Sequence, residues 1–428
     1  MIQARVPRFQ FFYGLEGILR ALASFPFQQQ KVQKEQLHSQ EEKLAALFSR
    51  THAILTSSYR IGLLDTLEAL HLPKGSEVIL GPITIADTIN SIRMAGLVPV
   101  LCDLDKNTQA PSISNIAQCL SPKTKVVLIT YLSGIVPNID ELVEFSKKND
   151  LLMIEDFSQA MGANYQDRPV GWHGDISIAS LSIGKNLSTF AGGLILFNNP
   201  ILLPELRMKQ ENRSSYSLVV LWYLLKACLK VEIATNKLIF SYFTFPLLRI
   251  IACFQKTCPP RFVHDPPTSA NIFCSSNVFK KTHYPISFYR SPTRWQIRIL
   301  ERQQTHYHQD LALRKKNALL FLANLTPLAL RRFPAAINSV NNSFYHLPFY
   351  GNGRTQELRA YLFQNGIDTG GYGLNLCSEE KELGVLNNEL DGARSIKHDC
   401  TFIPINEHST AAEIKLIADL LNNYCTDQ

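Results

Sequence analysis

The chemistry in this sequence starts from a single lysine. In "DISIASLSIGKNLSTFAGG", Asp175 to Gly193, an apolar alternation of strand type runs into Lys185, followed by Asn186 and the pair Gly192-Gly193. A lone lysine at a strand end is most often a solvated cation, so its meaning depends on what else the chain places near it. Upstream, "MIEDFSQA" sets Asp156 and Gln159 just after an apolar strand, where a carboxylate is either a helix cap or a buried anion. Further upstream, "TSSYRIGLL" puts Ser57, Ser58, Tyr59 and Arg60 before a helix. Hydroxyls and a guanidinium beside the free N–H groups of a helix start can hold a phosphate. Ser180, at the end of the strand that precedes Lys185, adds another hydroxyl.

A phosphate cradle, a carboxylate at a strand end and a later lysine are together the parts that hold pyridoxal phosphate. The amine can form a Schiff base with the aldehyde. The carboxylate can keep the pyridine nitrogen protonated, so that the ring accepts electrons from a substrate Cα–H bond.

These parts need a scaffold, and the apolar pattern supplies one. From about Thr51 to Phe197, "HAILTS", "EVILGP", "VPVLCDLD", "KVVLITY", "LLMIEDFS", "ISIASLS" and "GGLILF" read as strands. "GLLDTLEALHL", "TINSIRMAG" and "IDELVEFSKKN" read as helices between them. That rhythm predicts an α/β domain with a large, mostly parallel sheet and helices on both faces, with ligands beyond the carboxyl ends of its strands. The expected organisation is an N-terminal segment with the large domain over 1–213, an apolar helical insertion over 214–267, and a long helix with a small C-terminal α+β domain over 268–428.

Composition narrows the function classes. With 43 Lys and Arg against 36 Asp and Glu, the formal charge of +7 fits a metabolic enzyme or a protein that meets an anionic membrane, and nothing singles out nucleic acid. The nine cysteines form no CxxC pair, so neither a zinc ribbon nor a disulfide framework is expected and no metal ligands are assigned. The N-terminus lacks a secretory signal pattern, and the expected location is the cytoplasm.

The insertion breaks the pattern. "SLVVLWYLLKACLKVEI" and "KLIFSYFTFPLLRIIACF" are strongly apolar, and Pro246 is expected to kink the second. Lys226, Lys230, Lys237, Arg249, Lys256 and Arg261 face one acid, Glu232, and neither run is an uninterrupted apolar stretch of the roughly 18 to 20 residues a spanning helix needs. Two readings stand: a hairpin lying peripherally in a membrane interface, or a helical insertion packed on the protein's own surface or a dimer partner. "CPPRFVHDPP" reads as a proline-rich return, and "PTRWQIRILERQQTHYHQDLALRKKNALLFLANL" as a long amphipathic helix.

From Lys74 to Lys185, "KGSEVILGPITIADTINSI", "GLVPVLCDLD" and "SPKTKVVLITYLSGIVPNIDELVEFSKKNDLLMIEDFSQAMGANYQDRPVGWHGDISIASLSIGKNL", then "GGLILF", resemble the DegT/DnrJ/EryC1/StrS sugar aminotransferases, pyridoxal phosphate enzymes of fold type I. The resemblance implies Lys185 as the Schiff-base lysine, Asp156 as the pyridinium partner, Gln159 near the phenolic oxygen and Ser180 on the phosphate. It also implies a homodimer with its site at the subunit interface, a keto substrate and glutamate as donor. The chain departs from the pattern at the phosphate loop, where Tyr59-Arg60 replaces Gly-Thr or Ala-Thr, and at Ile85, where an aromatic ring usually covers the pyridine. Ala191 replaces a glutamate, and Ser287 stands where a partner-subunit asparagine is expected. A pyridoxamine-dependent dehydratase of this kind would carry histidine in place of Lys185. The remaining alternative is a non-catalytic relative that uses its insertion to bind a membrane or partner.

Overall fold

The computed structural model describes residues 5–11, 14–25, 32–255, 278–385 and 389–426. Its centre is a seven-stranded sheet: β1 (His52–Thr56), β2 (Glu77–Leu80), β3 (Val98–Leu101), β4 (Thr124–Thr130), β5 (Leu152–Asp156), β6 (Ile176–Ser180) and β7 (Gly193–Phe197). The spatial order is β1-β7-β6-β5-β4-β2-β3, with β7 antiparallel to both its neighbours and the other pairs parallel. Each strand falls on one of the seven runs read from the sequence, with β4 starting one residue earlier, at Thr124.

Both faces of the sheet are buried, which is why the strands read as nearly continuous apolar runs. Ala53, Leu55, Ile79, Val127, Ile129, Met153 and Ala179 pack into one core. The alternate residues Ile54, Val78, Leu80, Val126, Leu128, Ile154 and Ile178 pack into the other. Helices α1 (Gly14–Ser24), α2 (Tyr59–Ala69), α3 (Ala86–Met94) and α4 (Ile139–Lys148) precede or link these strands.

The apolar segment is helical. Its first helix, α5 (Leu218–Thr235), buries Leu221, Leu224, Leu225 and Cys228 in a cluster with Phe11, Ile18 and Trp295, so one face does pack on the protein itself. The run from Lys237 continues through a π-type turn, Phe240–Thr244, into α6 (Phe245–Gln255). Pro246 acts here: it cannot donate to an α-helical ladder, and the preceding N–H of Phe245 bonds to Phe240 O, five residues back. The return "CPPRFVHDPP" lies outside the described residues.

The long helix α7 (Arg294–Ala323) opens with a capping box between Thr293 and Gln296. A third core then joins the inner face of α7 (Phe321, Leu322) to β8 (Leu347–Tyr350), α8 (Thr355–Gln364), β9 (Cys400–Ile403) and α9 (Ala411–Thr426). Strands β8 and β9 pair antiparallel.

Candidate active site at the carboxyl edge of the sheet

Register brings the site residues to one edge. Thr130 pairs with Asp156 across β4 and β5, Ser180 with Gly193 across β6 and β7, and Gly193 with Thr56 across β7 and β1. The sequence places Asp156, Ser180 and the 57–60 loop at strand ends, and the parallel sheet aligns those ends.

Asp156 is buried. One carboxylate oxygen accepts from the Ser158 N–H at 3.0 Å, the other from Thr130 Oγ1 at 3.4 Å. Burial pushes its pKa up, against the pull of Ser158, of Lys185 and of the Tyr59 hydroxyl. Lys185 is thus within electrostatic reach of Asp156. The Tyr59 hydroxyl is buried without a hydrogen-bond partner in good geometry, and burial with the nearby Asp156 charge holds it strongly protonated.

The neighbours of Lys185 are fixed on both sides. Tyr345 donates its hydroxyl to Gly184 O at 3.1 Å, and its ring lies under the lysine with Nζ 4.8 Å from the centroid. Asn186 donates to Met161 O at 2.8 Å and accepts from Arg314 Nη1 at 2.7 Å. Arg314 is itself tied to Glu407 at 2.7 Å. Beside this group the half-buried His346 ring stacks on Phe402 at 4.0 Å, and desolvation, with Lys185 and Arg314 adding, pushes its pKa down to about 3. His346 is therefore a neutral ring at physiological pH.

Gln159 is oriented by its carbonyl end. Its Oε1 accepts from the Ser133 N–H at 2.7 Å, and its backbone oxygen accepts from Ser343 Oγ at 2.9 Å. Its donors are at the Nε2 end. Ser180 donates its Oγ to Ser182 at 2.9 Å and its N–H to Ser158 Oγ at 2.9 Å, so three serines cluster at the β6 end.

In the 57–60 loop, Ser58 caps α2 by accepting from the Ile61 N–H at 3.4 Å. Ser57, Ser58, Arg60, Ala191 and Ser287 line one small cavity. Arg60 pairs there with Asp87 at 2.5 Å, which also holds Lys281 at 2.6 Å, so its charge is balanced within the protein. Ser287 reaches this cavity from its own chain. Ile85 precedes α3, half-buried against the same core as Tyr59.

Gly193 lets β7 pass this loop. A Cβ there would stand 2.5 Å from Thr56 Oγ1 and 2.6 Å from Ser58 C and O. Backbone cannot give way as a side-chain tip can, so Gly193→Ala is expected to cost about 1–3 kcal/mol by overpacking. Denaturant midpoints check this, and an unchanged midpoint contradicts the tight passage.

Sequence reasoning missed Ser158, Ser182, Tyr345, His346 and Arg314. Tyr345 and His346 sit in "SFYHLPFY", which carries only a strand signal, and Arg314 sits among the ordinary cations of a long helix. Among the described residues no group of three or more His, Cys, Asp or Glu could hold a metal ion.

The donor set fits pyridoxal phosphate: a buried carboxylate, an amine within its reach, a hydroxyl-rich helix start and an unsatisfied tyrosine hydroxyl. Comparison with known proteins agrees. Residues 20–214 match the DegT/DnrJ/EryC1/StrS aminotransferase family. GDP-perosamine synthase of Escherichia coli O157:H7 is 33% identical over 162 residues, 38% of this chain and 44% of that protein, so the match spans less than half of the curated relative. The fold is that of the aminotransferase from Psychrobacter cryohalolentis, with a TM-score of 0.71 at 20% identity, covering 99% of each chain. E. coli GDP-4-keto-6-deoxy-D-mannose-3-dehydratase, solved with bound hydrated PLP, superposes with a TM-score of 0.70 at 18% identity over 98% of this chain and 100% of that one.

Proposed function

We propose, from the premise that residues 20–214 carry the large domain of a DegT/DnrJ/EryC1/StrS aminotransferase, that the protein is a pyridoxal-phosphate-dependent aminotransferase. Its amino donor is glutamate, and its acceptor is a keto-sugar, in line with the nucleotide-sugar product in the name of its 33%-identical relative. The observation that carries this reading is the buried Asp156 at the end of β5, with Lys185 in reach across the same sheet edge.

The cofactor, when bound, supplies a reactive aldehyde and a ring that takes up electrons from the substrate. The chain's residues supply the rest. Asp156 holds a proton at the pyridine nitrogen, and the Thr130 and Ser158 hydrogen bonds fix its carboxylate for that task. Lys185 Nζ would be the amine that holds the aldehyde, and as a free amine it would move the proton at the substrate Cα. Ser58, the first-turn N–H groups of α2 and Ser180 hold the phosphate, with Arg60 and Tyr59 closing the loop around it. The Gln159 amide would donate toward the phenolic oxygen, and Ile85 would offer the ring an aliphatic contact in place of an aromatic.

The same reading makes the protein a homodimer with small-molecule partners and no nucleic acid. Its boundaries are 1–213, 214–267 and 268–428. Its place is the cytoplasm, with 214–267 as its contact to a membrane. The test is direct: purified protein supplied with pyridoxal phosphate turns yellow, borohydride fixes the label on the Lys185 peptide, and glutamate bleaches the colour. A colourless protein whose Lys185 peptide takes no label contradicts the reading.

A further inference from the structure

The run from Lys237 to Phe254 is a continuous helical rod with two unlike faces. On the inner face Phe240, Phe245 and Leu248 are buried with Phe363 of α8. The Phe245 and Phe363 ring centroids are 4.8 Å apart. Lys237 ties the start of the rod to Glu413 at 2.7 Å. On the outer face Phe243, Leu247, Ile250 and Phe254 recur at one helical spacing and stand in solvent, Phe243 at 73% and Phe254 at 85% exposure. Leu238 and Tyr242 widen that face.

A solitary exposed phenylalanine calls for no explanation; a stripe of them does. By length and composition the rod is apolar enough to cross a membrane, with a mean hydropathy of 1.5 over 18 residues despite the cations within it. A spanning helix would have to pull Phe240, Phe245 and Leu248 off Phe363, break Lys237 from Glu413 and carry Arg249 into the hydrocarbon. Lying in the interface requires none of this.

Charge selects the occupant. Within residues 218–254 the exposed charges are Lys226, Lys230 and Arg249, and the one acid of the segment, Glu232, is buried. The exposed aromatics of α5, Trp222 and Tyr223, are the types that settle at headgroup depth, and Lys226 lies over the Trp222 ring at 5.3 Å. A second copy of this surface would set its own cations against like charge, whereas an anionic bilayer meets both the apolar stripe and the cations.

We infer that the outer face of Lys237–Phe254, flanked by α5, is a docking surface for an anionic lipid bilayer, with the rod lying in the plane of the headgroups. This specifies the location proposed above and rests on no catalytic role. Lipid then contacts Phe243, Leu247, Ile250 and Phe254, while the inner face stays on the protein.

Vesicle flotation with the full chain tests it, using phosphatidylcholine vesicles with and without phosphatidylglycerol. Wild-type protein is expected to float with the anionic vesicles at low salt and to be released by high salt or alkaline carbonate. Phe243→Asp/Ile250→Asp changes two side chains that stand in solvent, so the fold is kept, and binding is expected to weaken by at least about tenfold. Lys226→Glu/Lys230→Glu/Arg249→Glu is expected to remove the preference for phosphatidylglycerol. The inference is overturned if wild-type protein stays with the dense fraction at low salt, or if the Asp variant floats as well as wild type. Resistance to carbonate would mark a spanning helix, and a dimer lost only in the Asp variant would mark a second copy as the occupant; either overturns it. The borohydride label at Lys185 is read on the same samples, so failure of docking and failure of the catalytic reading are told apart.

Discussion

Lys185→Ala is expected to transaminate at least about 1,000-fold more slowly than wild type, to give no borohydride-fixed label, and to release its cofactor on dialysis. The fold should survive, because the loop is not held by the lysine side chain. Gly184 is fixed through its backbone by Tyr345, and Asn186 by Arg314 and Met161. Lys185→Arg separates charge from chemistry: a guanidinium keeps the cation beside Asp156 and over Tyr345 but cannot deprotonate to act as nucleophile or base. Both variants are expected to be inactive with near-normal thermal stability. Substantial turnover in either, measured with glutamate and a keto-sugar acceptor, would remove Lys185 from the mechanism.

The legible part of this site is the part made by consecutive strands. A strand buried on both faces announces itself as an apolar run, and a polar residue directly after it must lie at the sheet edge; Asp156, Ser180 and Ser58 were found that way. Lys185 was legible because it stands alone in a run of small and apolar residues. What the pattern could not show is what reaches the edge from elsewhere in the chain. Tyr345 and His346 arrive from the segment before β8, and Arg314 is the one buried cation of a helix whose other cations are half-buried or exposed. The pairing of Arg60 with Asp87 was equally hidden, since both residues are polar, both precede or begin helices, and only the packing of α2 on α3 joins them. For the apolar segment, composition left two readings open because the burial of Leu221 and Phe245 and the exposure of Phe243 and Phe254 depend on which face meets the protein.

Asp156→Asn is expected to lose transamination by about 1,000-fold or more, since an amide cannot hold the proton at the pyridine nitrogen that makes the ring an electron sink. Its effect on the cofactor-free fold should have the opposite sign. Burial raises the Asp156 pKa above that of an unfolded carboxyl, so the unfolded state releases its proton first as pH rises. The associated stability is present in full below the unfolded pKa, about 3.9, and is lost as pH rises through the folded value. At neutral pH the cofactor-free protein therefore carries a cost at Asp156 that asparagine does not, while asparagine Oδ1 can still accept from the Ser158 N–H. Thermal unfolding without cofactor should show Asp156→Asn more stable than wild type at pH 7, with the gap closing toward pH 4. Added pyridoxal phosphate should raise the wild-type midpoint more than that of the variant, because the cationic ring nitrogen restores a partner to the carboxylate alone. A variant that gains no stability at pH 7, or that is protected by the cofactor as strongly as wild type, would show that the Asp156 charge is satisfied inside the protein and is not reserved for the ring.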